Sequence, residues 1–362
     1  MGHNKRRNYE VDLLKTFSII MIIICHVSQK IKGLPLIVDN INRLGQLGVQ
    51  IFFVMSAYLC CVTSEKMNMA GADIKNFYLK KFLRLAPAYW FAIVFYQLLF
   101  KFVKVLNLPI RIYTDTSGIN CAINFTLLNN LFPKACNSIV PGGWSISCLW
   151  IFFIIFPFVA RKCNNLRQAV NIYIVSMILV LLYGVSEIFV LGNIIENNTF
   201  LYFNIIPQLP CFITGILLFF YEREAITLKR QELIIKIVIS LGITLLVFFA
   251  EKSETIIWVP LFSSLTIMFV YLYLKNFCKL KENNYIIHLS KMTLSVFVFH
   301  PLFAYYGVGY INKILEYFCI YIPSLLLYAF SVIMVLVFSY ILSIKMDRVF
   351  SMPLKLYRDI KN

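Results

Sequence analysis

Charged residues are scarce in this sequence of 362 residues. They make up 14% of it, whereas an average soluble domain carries about 25%. Hydrophobic residues account for 60%, and the mean hydropathy is +0.77. This composition excludes an ordinary soluble globular protein and predicts an integral membrane protein.

Acidic residues are also few, with 17 Asp and Glu against 34 Lys and Arg, so the formal net charge is +17. A basic excess is typical of nucleic-acid-binding proteins, and equally of the cytoplasmic loops of membrane proteins. The position of the basic residues along the chain distinguishes the two, as described below.

The ten cysteines include no CxxC pair, which argues against the usual structural zinc and thioredoxin-type sites. Most of them lie in apolar runs, where cysteine behaves as a small hydrophobic residue. Cys121 and Cys136 share a long polar loop and are the one candidate disulfide pair. We predict no metal site.

Ten apolar runs are long enough to cross a bilayer as helices, which takes about 20 residues. The predicted spans are 13–29, 44–62, 85–103, 143–160, 169–191, 204–222, 234–250, 256–274, 285–308 and 322–344. The first follows Lys5, Arg6 and Arg7 as a signal peptide would, but no small-residue cleavage site follows it, so we expect a retained helix. The sequence therefore predicts one all-α transmembrane domain over residues 1–362.

The basic residues are distributed asymmetrically about these spans. With the amino terminus inside, the inner segments hold 22 Lys and Arg, the outer segments hold 9, and 3 lie within spans. This follows the positive-inside rule and predicts that both termini are cytoplasmic. It also explains the basic charge without nucleic acid, so we expect no nucleic-acid partner.

Several polar side chains fall inside or beside these predicted spans. His26 and His300 fall in the outer halves of the first and ninth spans, with Trp144 and Ser147 at the outer end of the fourth. A charged group at mid-bilayer costs at least ~2.5 kcal/mol, so such residues often mark function. Three of them also have a simpler interpretation. His26 and His300 could snorkel to the membrane interface, and Trp144 could be an ordinary interfacial tryptophan.

The inner ends of the spans carry Asp12, Lys15 and Arg84. The two cations fit ordinary positive-inside anchors, and Asp12 fits a first-turn carboxylate favoured by the helix dipole. Asp12 lies about 20 Å along the helix from His26, too far to orient it, so we expect it to pair with Lys15 or another inner cation.

Six segments, taken in order, resemble the acyltransferase family 3 membrane proteins over residues 8 to 345. The first resembles the family's pattern of Asp, Arg three residues later and His ten or so residues after that; here these are Asp12, Lys15 and His26. The other five are "LGVQIFFVMSAYL" (47–59), "FYLKKFLRLAPAYW" (77–90), "GGWSISCLWIFFIIFP" (142–157), "LPCFITGILL" (209–218) and "LSVFVFHPLF" (294–303).

The resemblance implies a membrane-embedded O-acyltransferase of a bacterial-type plasma membrane. The expected donor is acyl-CoA, acetyl-CoA above all, and the acceptor is a hydroxyl of a cell-surface or lipid-linked polysaccharide. A histidine with a pKa near 6.5 suits the general base, and His26 is the first candidate for this base or for a transient acyl carrier. His300 is the second candidate.

Lys15 and Arg84 are candidates for binding the CoA phosphates. Trp144 and Ser147 are candidates for binding the sugar, and Asp12 is expected to give structural support.

The sequence departs from the family pattern in ways that keep other functions open. Lys15 replaces an arginine, and Leu149 and Trp150 stand where a glutamate is expected. Glu187, near the outer end of the fifth span, is the nearest carboxylate that could substitute for it. A catalytically inactive homologue and a transporter of a glycan precursor are the alternatives; the second is disfavoured because the sequence shows no internal repeat.

Overall fold

The computed structural model describes residues 8–65, 72–106, 115, 117–189, 198–250 and 256–361. The Lys5 to Arg7 cluster, Lys66, Arg111 and Lys252, which entered the charge count, lie outside the described residues.

The regular secondary structure in the described part of the chain is all helical. Ten of its helical segments, some made of two consecutive helices, are long and apolar enough to cross a membrane. In chain order the helices are α1 (Tyr9–Ser28), α2 (Leu36–Arg43), α3 (Gly48–Ser64), α4 (Ala72–Val105), α5 (Gly118–Phe125), α6 (Gly143–Lys162), α7 (Leu166–Phe189), α8 (Asn198–Phe203), α9 (Ile205–Arg223), α10 (Arg230–Phe249), α11 (Val259–Phe277), α12 (Asn284–Lys291), α13 (Thr293–Pro301), α14 (Val308–Tyr317) and α15 (Ser324–Lys361). The predicted fold class, a helical bundle of about ten spans, is confirmed.

The predicted and observed boundaries differ where a helix continues beyond its apolar part. α4 begins at Ala72 rather than near residue 85, and α15 runs on to Lys361. The hydropathy of a sequence marks only the segment that lipid can cover, whereas basic residues are also good helix formers. The predicted ninth span joined two elements, because α12 ends at Lys291 and α13 begins at Thr293.

Side-chain caps fix the starts of several helices. Asn8 accepts a hydrogen bond from the Val11 N–H at 3.2 Å, and Asn204 and Asn283 cap α9 and α12 in the same way. Such caps satisfy backbone donors that a helix start leaves without an intrahelical partner. Cys121 and Cys136, the candidate disulfide pair, are both free thiols.

α1 lies at the centre of the bundle and packs against α3, α11, α12, α13 and α15. Small residues allow this close packing, as is usual between membrane helices. A Cβ atom added at Gly48 would lie 2.4 Å from the Ser18 carbonyl oxygen of α1. The contact between α3 and α9 is equally tight, because a Cβ at Gly215 would lie 2.3 Å from the Val54 carbonyl oxygen.

A polar network ties four helices together at the end of the bundle where α1 begins. Asn8 Nδ2 donates to the Tyr271 hydroxyl at 2.5 Å, and the Tyr58 hydroxyl donates to Glu222 Oε2 at 2.6 Å. Lys275 Nζ forms an ion pair with Glu222 Oε1 at 2.6 Å. The network fixes the start of α1 against α3, α9 and α11.

The glycine contact between α3 and α9 gives a matched test. We expect Gly215→Ala to lower the free energy of unfolding by about 1–3 kcal/mol, since the backbones must separate. Gly242→Ala in α10 is the control, because a Cβ there meets nothing within 4 Å and alanine favours the helix by up to about 1 kcal/mol. Thermal unfolding of the detergent-purified variants measures both. Equal melting temperatures for the two variants would contradict the close approach.

Candidate active site

The two histidines predicted from separate spans are in direct contact. His26 Nδ1 lies 2.8 Å from His300 Nε2, and the two rings lie edge to edge, with centroids 5.0 Å apart and planes 11° from parallel. His300 is fully buried, while His26 is partly exposed to a cavity. The residues are 274 positions apart in the chain, so the pairing of α1 with α13 creates this site.

The residue after His300 explains how that ring is held. Pro301 has no N–H to donate to the Phe297 carbonyl four residues earlier. His300 Nδ1 lies 2.7 Å from this carbonyl oxygen and forms a hydrogen bond with it in place of the missing backbone N–H. A π-helical segment, Leu302–Gly307, follows directly; such segments are frequent at functional sites.

These two contacts define the tautomers of a neutral histidine pair. A carbonyl oxygen only accepts, so His300 Nδ1 carries the proton and His300 Nε2 is an acceptor. His26 Nδ1 must then be the donor of the 2.8 Å contact between the rings. His26 Nε2 is left with the lone pair, which is the arrangement that a general base requires.

A cavity of about 430 Å³, here called the histidine cavity, opens beside His26. Its lining includes Trp144, Tyr202, Tyr305 and Lys30. The Tyr305 ring lies 5.0 Å from the His26 ring, and Lys30 Nζ lies 5.1 Å from the Tyr305 ring centre. Aromatic and hydrogen-bonding groups therefore line the cavity beside the His26 ring.

Of the two residues predicted to bind sugar, the structure brings only Trp144 to this cavity, and Trp144 itself is closely packed. Its ring stacks on Phe203 with centroids 4.5 Å apart, and it is 5% exposed. Ser147 is fully buried; it donates to the Leu127 carbonyl at 2.8 Å and accepts from the Asn130 N–H at 3.0 Å. These bonds give Ser147 the role of holding the preceding loop against α6.

A second cavity, here called the basic cavity, has a volume of about 590 Å³ and lies beside the start of α1. Five cationic and two acidic side chains line it, so its electrostatic potential is positive. They are Lys15, Arg84, Lys291, Lys355, Arg358, Asp12 and Asp347. Lys15 and Arg84, the two candidates for binding the CoA phosphates, lie on different helices and both line this cavity.

Asp12 and Lys15 both bind Ser290 of α12. The Ser290 hydroxyl donates to Asp12 Oδ1 at 2.5 Å, and Lys15 Nζ donates to the Ser290 carbonyl at 2.7 Å. The carboxylate of Asp12 therefore links the start of α1 to α12 through a serine hydroxyl, a partner that the sequence did not suggest.

Lys355 and Arg358 are cavity residues that sequence reasoning missed. Their spacing of three residues places them on one face of α15, a signal that could have been read as a binding face. The length of α15 was needed to bring that face back to the start of α1.

A narrow apolar constriction, here called the neck, lies between the two cavities and has a volume of about 20 Å³. It shares Leu294 with the basic cavity, and Ile22, Val49 and Phe297 with the histidine cavity. Leu149, which stands where the family's glutamate is expected, lines the neck. The neighbouring Trp150 packs against Phe82.

The three spaces follow one another along α1. Lys15 lines the basic cavity, Ser18 and Ile19 line the neck, and His26 lines the histidine cavity. The eleven residues from Lys15 to His26 span about 16 Å of helix. The bundle therefore encloses a cationic site and a paired-histidine site at opposite ends of one path.

Glu187 was considered as a substitute for the missing carboxylate. Its backbone belongs to α7, but its side chain lies outside the described part of the chain. Within the described residues, no group of three or more His, Cys, Asp and Glu side chains is arranged to hold a metal ion.

The described part of the chain is a polytopic helical bundle of the kind that spans a membrane. The model of acyltransferase family 3, described as an acyltransferase domain, matches residues 8–344. The chain belongs to this family, and the predicted resemblance is confirmed. It is a multi-pass membrane protein with an acyltransferase domain. Comparison with curated proteins and with solved structures found no match.

The tautomers of the histidine pair can be measured directly, because the chain has only four histidines. With ¹⁵N-labelled histidine in lipid, solid-state NMR at neutral pH should show Nδ1–H tautomers for His26 and His300. The single variants His3→Gln and His288→Gln identify the signals of those two histidines, so the remaining signals belong to His26 and His300. An Nε2–H signal from His300 would contradict the arrangement, since the carbonyl contact would then lack its proton.

Proposed function

We propose that the protein transfers a short acyl group from acyl-CoA, acetyl-CoA in the first instance, to a hydroxyl of a cell-surface or lipid-linked polysaccharide. The single observation that carries this proposal is the hydrogen-bonded pair of His26 and His300 beside the histidine cavity. The pair sets a basic nitrogen where an acceptor hydroxyl can enter.

The donor is assigned to the basic cavity. CoA carries several phosphate charges, and Lys and Arg side chains bind phosphate through charge-assisted hydrogen bonds. The charge count along the sequence predicts that this end of the bundle is cytoplasmic, and acyl-CoA is made in the cytoplasm. Ten spans return the carboxy-terminal helix to the same side, so Lys355 and Arg358 can join Lys15 and Arg84.

The acceptor is assigned to the histidine cavity, at the opposite end. Sugar rings have apolar faces that pack on aromatic side chains, and Tyr305, Tyr202 and Trp144 line this cavity. On the orientation above, the cavity opens to the outer surface. This suits a polysaccharide that is exported or held on a lipid in the outer leaflet of the bacterial-type plasma membrane.

The proposed reaction uses His26 as general base. Its Nε2 takes the proton of the acceptor hydroxyl as the hydroxyl oxygen attacks the thioester carbonyl carbon. The carbon–sulfur bond then breaks, and the CoA sulfur leaves with the proton from His26 as the free thiol. His300 orients the His26 ring and stabilises the proton on Nδ1 throughout.

The paired histidines make His26→Gln the first test. We expect kcat to fall by about 10²–10⁴-fold, the usual contribution of a general base, while the KM for acyl-CoA stays within about threefold. Membranes supplied with labelled acetyl-CoA would be assayed for alkali-labile label in the glycan fraction. His288→Gln, an exposed histidine on α12, is the matched control. A properly inserted His26→Gln protein with full activity would exclude His26 as the base.

If the basic cavity binds acyl-CoA, the variant Arg358→Gln should change the kinetics differently from His26→Gln. Losing one charged phosphate contact at an exposed site should raise the KM for acyl-CoA about tenfold with little change in kcat. Arg348→Gln removes a cation from the same helix outside the cavity and should leave the KM unchanged. If the two variants raise the KM equally, the effect belongs to general surface charge and the donor site is elsewhere.

A further inference from the structure

The neck joins the proposed donor site to the histidine pair, and its chemistry differs from that of both cavities. Eight of its lining residues are apolar; among them are Ile19, Phe52, Leu149 and Phe297. The remaining three are Ser18, Ser145 and Thr293. The space holds about one water-sized probe, so an acyl group can pass only when these side chains move apart.

The three hydroxyl groups of the neck already donate to nearby backbone carbonyls. Ser18 donates to the Lys15 carbonyl at 2.8 Å, Ser145 donates to the Gly142 carbonyl at 2.9 Å, and Thr293 donates to the Ser290 carbonyl at 3.2 Å. Each bond runs to the carbonyl three residues earlier. The described neck residues therefore present neither a cation nor a spare hydroxyl proton to a passing group.

Leu149 distinguishes the neck of this chain from the family pattern. At the position where the family pattern has a glutamate, an isobutyl group faces the neck. Apolar side chains can separate and close again without breaking hydrogen bonds. A charged group passing between them would lose its hydration with nothing to replace it.

From these contacts we infer that the neck is a selectivity filter that passes small uncharged acyl groups, such as acetyl, and rejects acyl groups that end in a carboxylate, such as succinyl. The inference rests on the proposed function, because it assumes that the thioester end of acyl-CoA travels from the basic cavity to His26. The cations of the basic cavity strengthen the selection, because they hold a carboxylate back at the entrance.

The test compares butyryl and succinyl donors, which are similar in length and differ in charge, with acetyl as the reference. Membranes carrying the protein and its endogenous glycan are given acetyl-CoA, butyryl-CoA or succinyl-CoA, and ester-linked acyl groups are measured by mass spectrometry. Succinyl transfer should be at least about 100-fold slower than butyryl transfer, given the cost of a charge in an apolar membrane site. Succinyl-CoA should nevertheless inhibit acetyl transfer competitively, with an inhibition constant within about tenfold of the acetyl-CoA KM, because the basic cavity still binds its nucleotide.

Two substitutions at Leu149 separate size from polarity. Leu149→Ala should raise the butyryl-to-acetyl ratio about tenfold and leave succinyl excluded, because it widens the neck without adding a polar group. Leu149→Gln should raise the succinyl-to-butyryl ratio at least about tenfold, because its amide can donate to a carboxylate. Leu218→Ala is the control; this leucine is fully buried in α9 away from the neck and should change neither ratio.

The outcomes distinguish the two proposals. Transfer of succinyl within tenfold of butyryl by the wild type, or unchanged donor ratios in both Leu149 variants, would overturn the selectivity filter and leave the acyltransferase intact. Failure of all three donors to label any glycan, in membranes where the protein is inserted, would overturn the proposed function itself.

Discussion

The missing N–H of Pro301 is the constraint on which the site depends. A helix interior normally gives each carbonyl a backbone donor, and in lipid a carbonyl without a donor is costly. Here the Phe297 carbonyl is bonded by His300 Nδ1. That bond fixes the proton of His300, which in turn makes the His26 Nδ1 proton a donor and leaves a lone pair at the cavity. One covalent feature of the chain thus determines the tautomer of the adjacent His300 and, through it, that of His26.

The rest of the bundle brings His26 and His300 together and separates the basic cavity from the histidine cavity. Close helix contacts at Gly48 and Gly215 hold α3 between α1 and α9. Ser290 holds the start of α1 through Asp12 and Lys15. Between these fixed points, the neck separates a cationic space from an aromatic one. In the proposed reaction, the two substrates approach this neck from opposite ends of the bundle.

Much of this could be predicted from the sequence. The ten spans follow from runs of apolar residues, because only helices satisfy the backbone in lipid. The order of six family-like segments indicated the acyltransferase family. His26 and His300 were chosen because ionisable groups are costly in a membrane. Ser147 shows the limit of such reasoning, because its hydroxyl binds the loop before α6 rather than the cavity.

The sequence by itself determined the class, the spans and the short list of polar residues, since these depend on local composition and spacing. Only the tertiary structure decided which of them meet. The contact of His26 with His300 spans 274 positions, and the entry of Lys355 and Arg358 into the cavity of Lys15 depends on how α15 packs. The same holds for the place of Leu149 in the neck. Such contacts arise from helix packing across the bundle, and no local pattern in the chain encodes them.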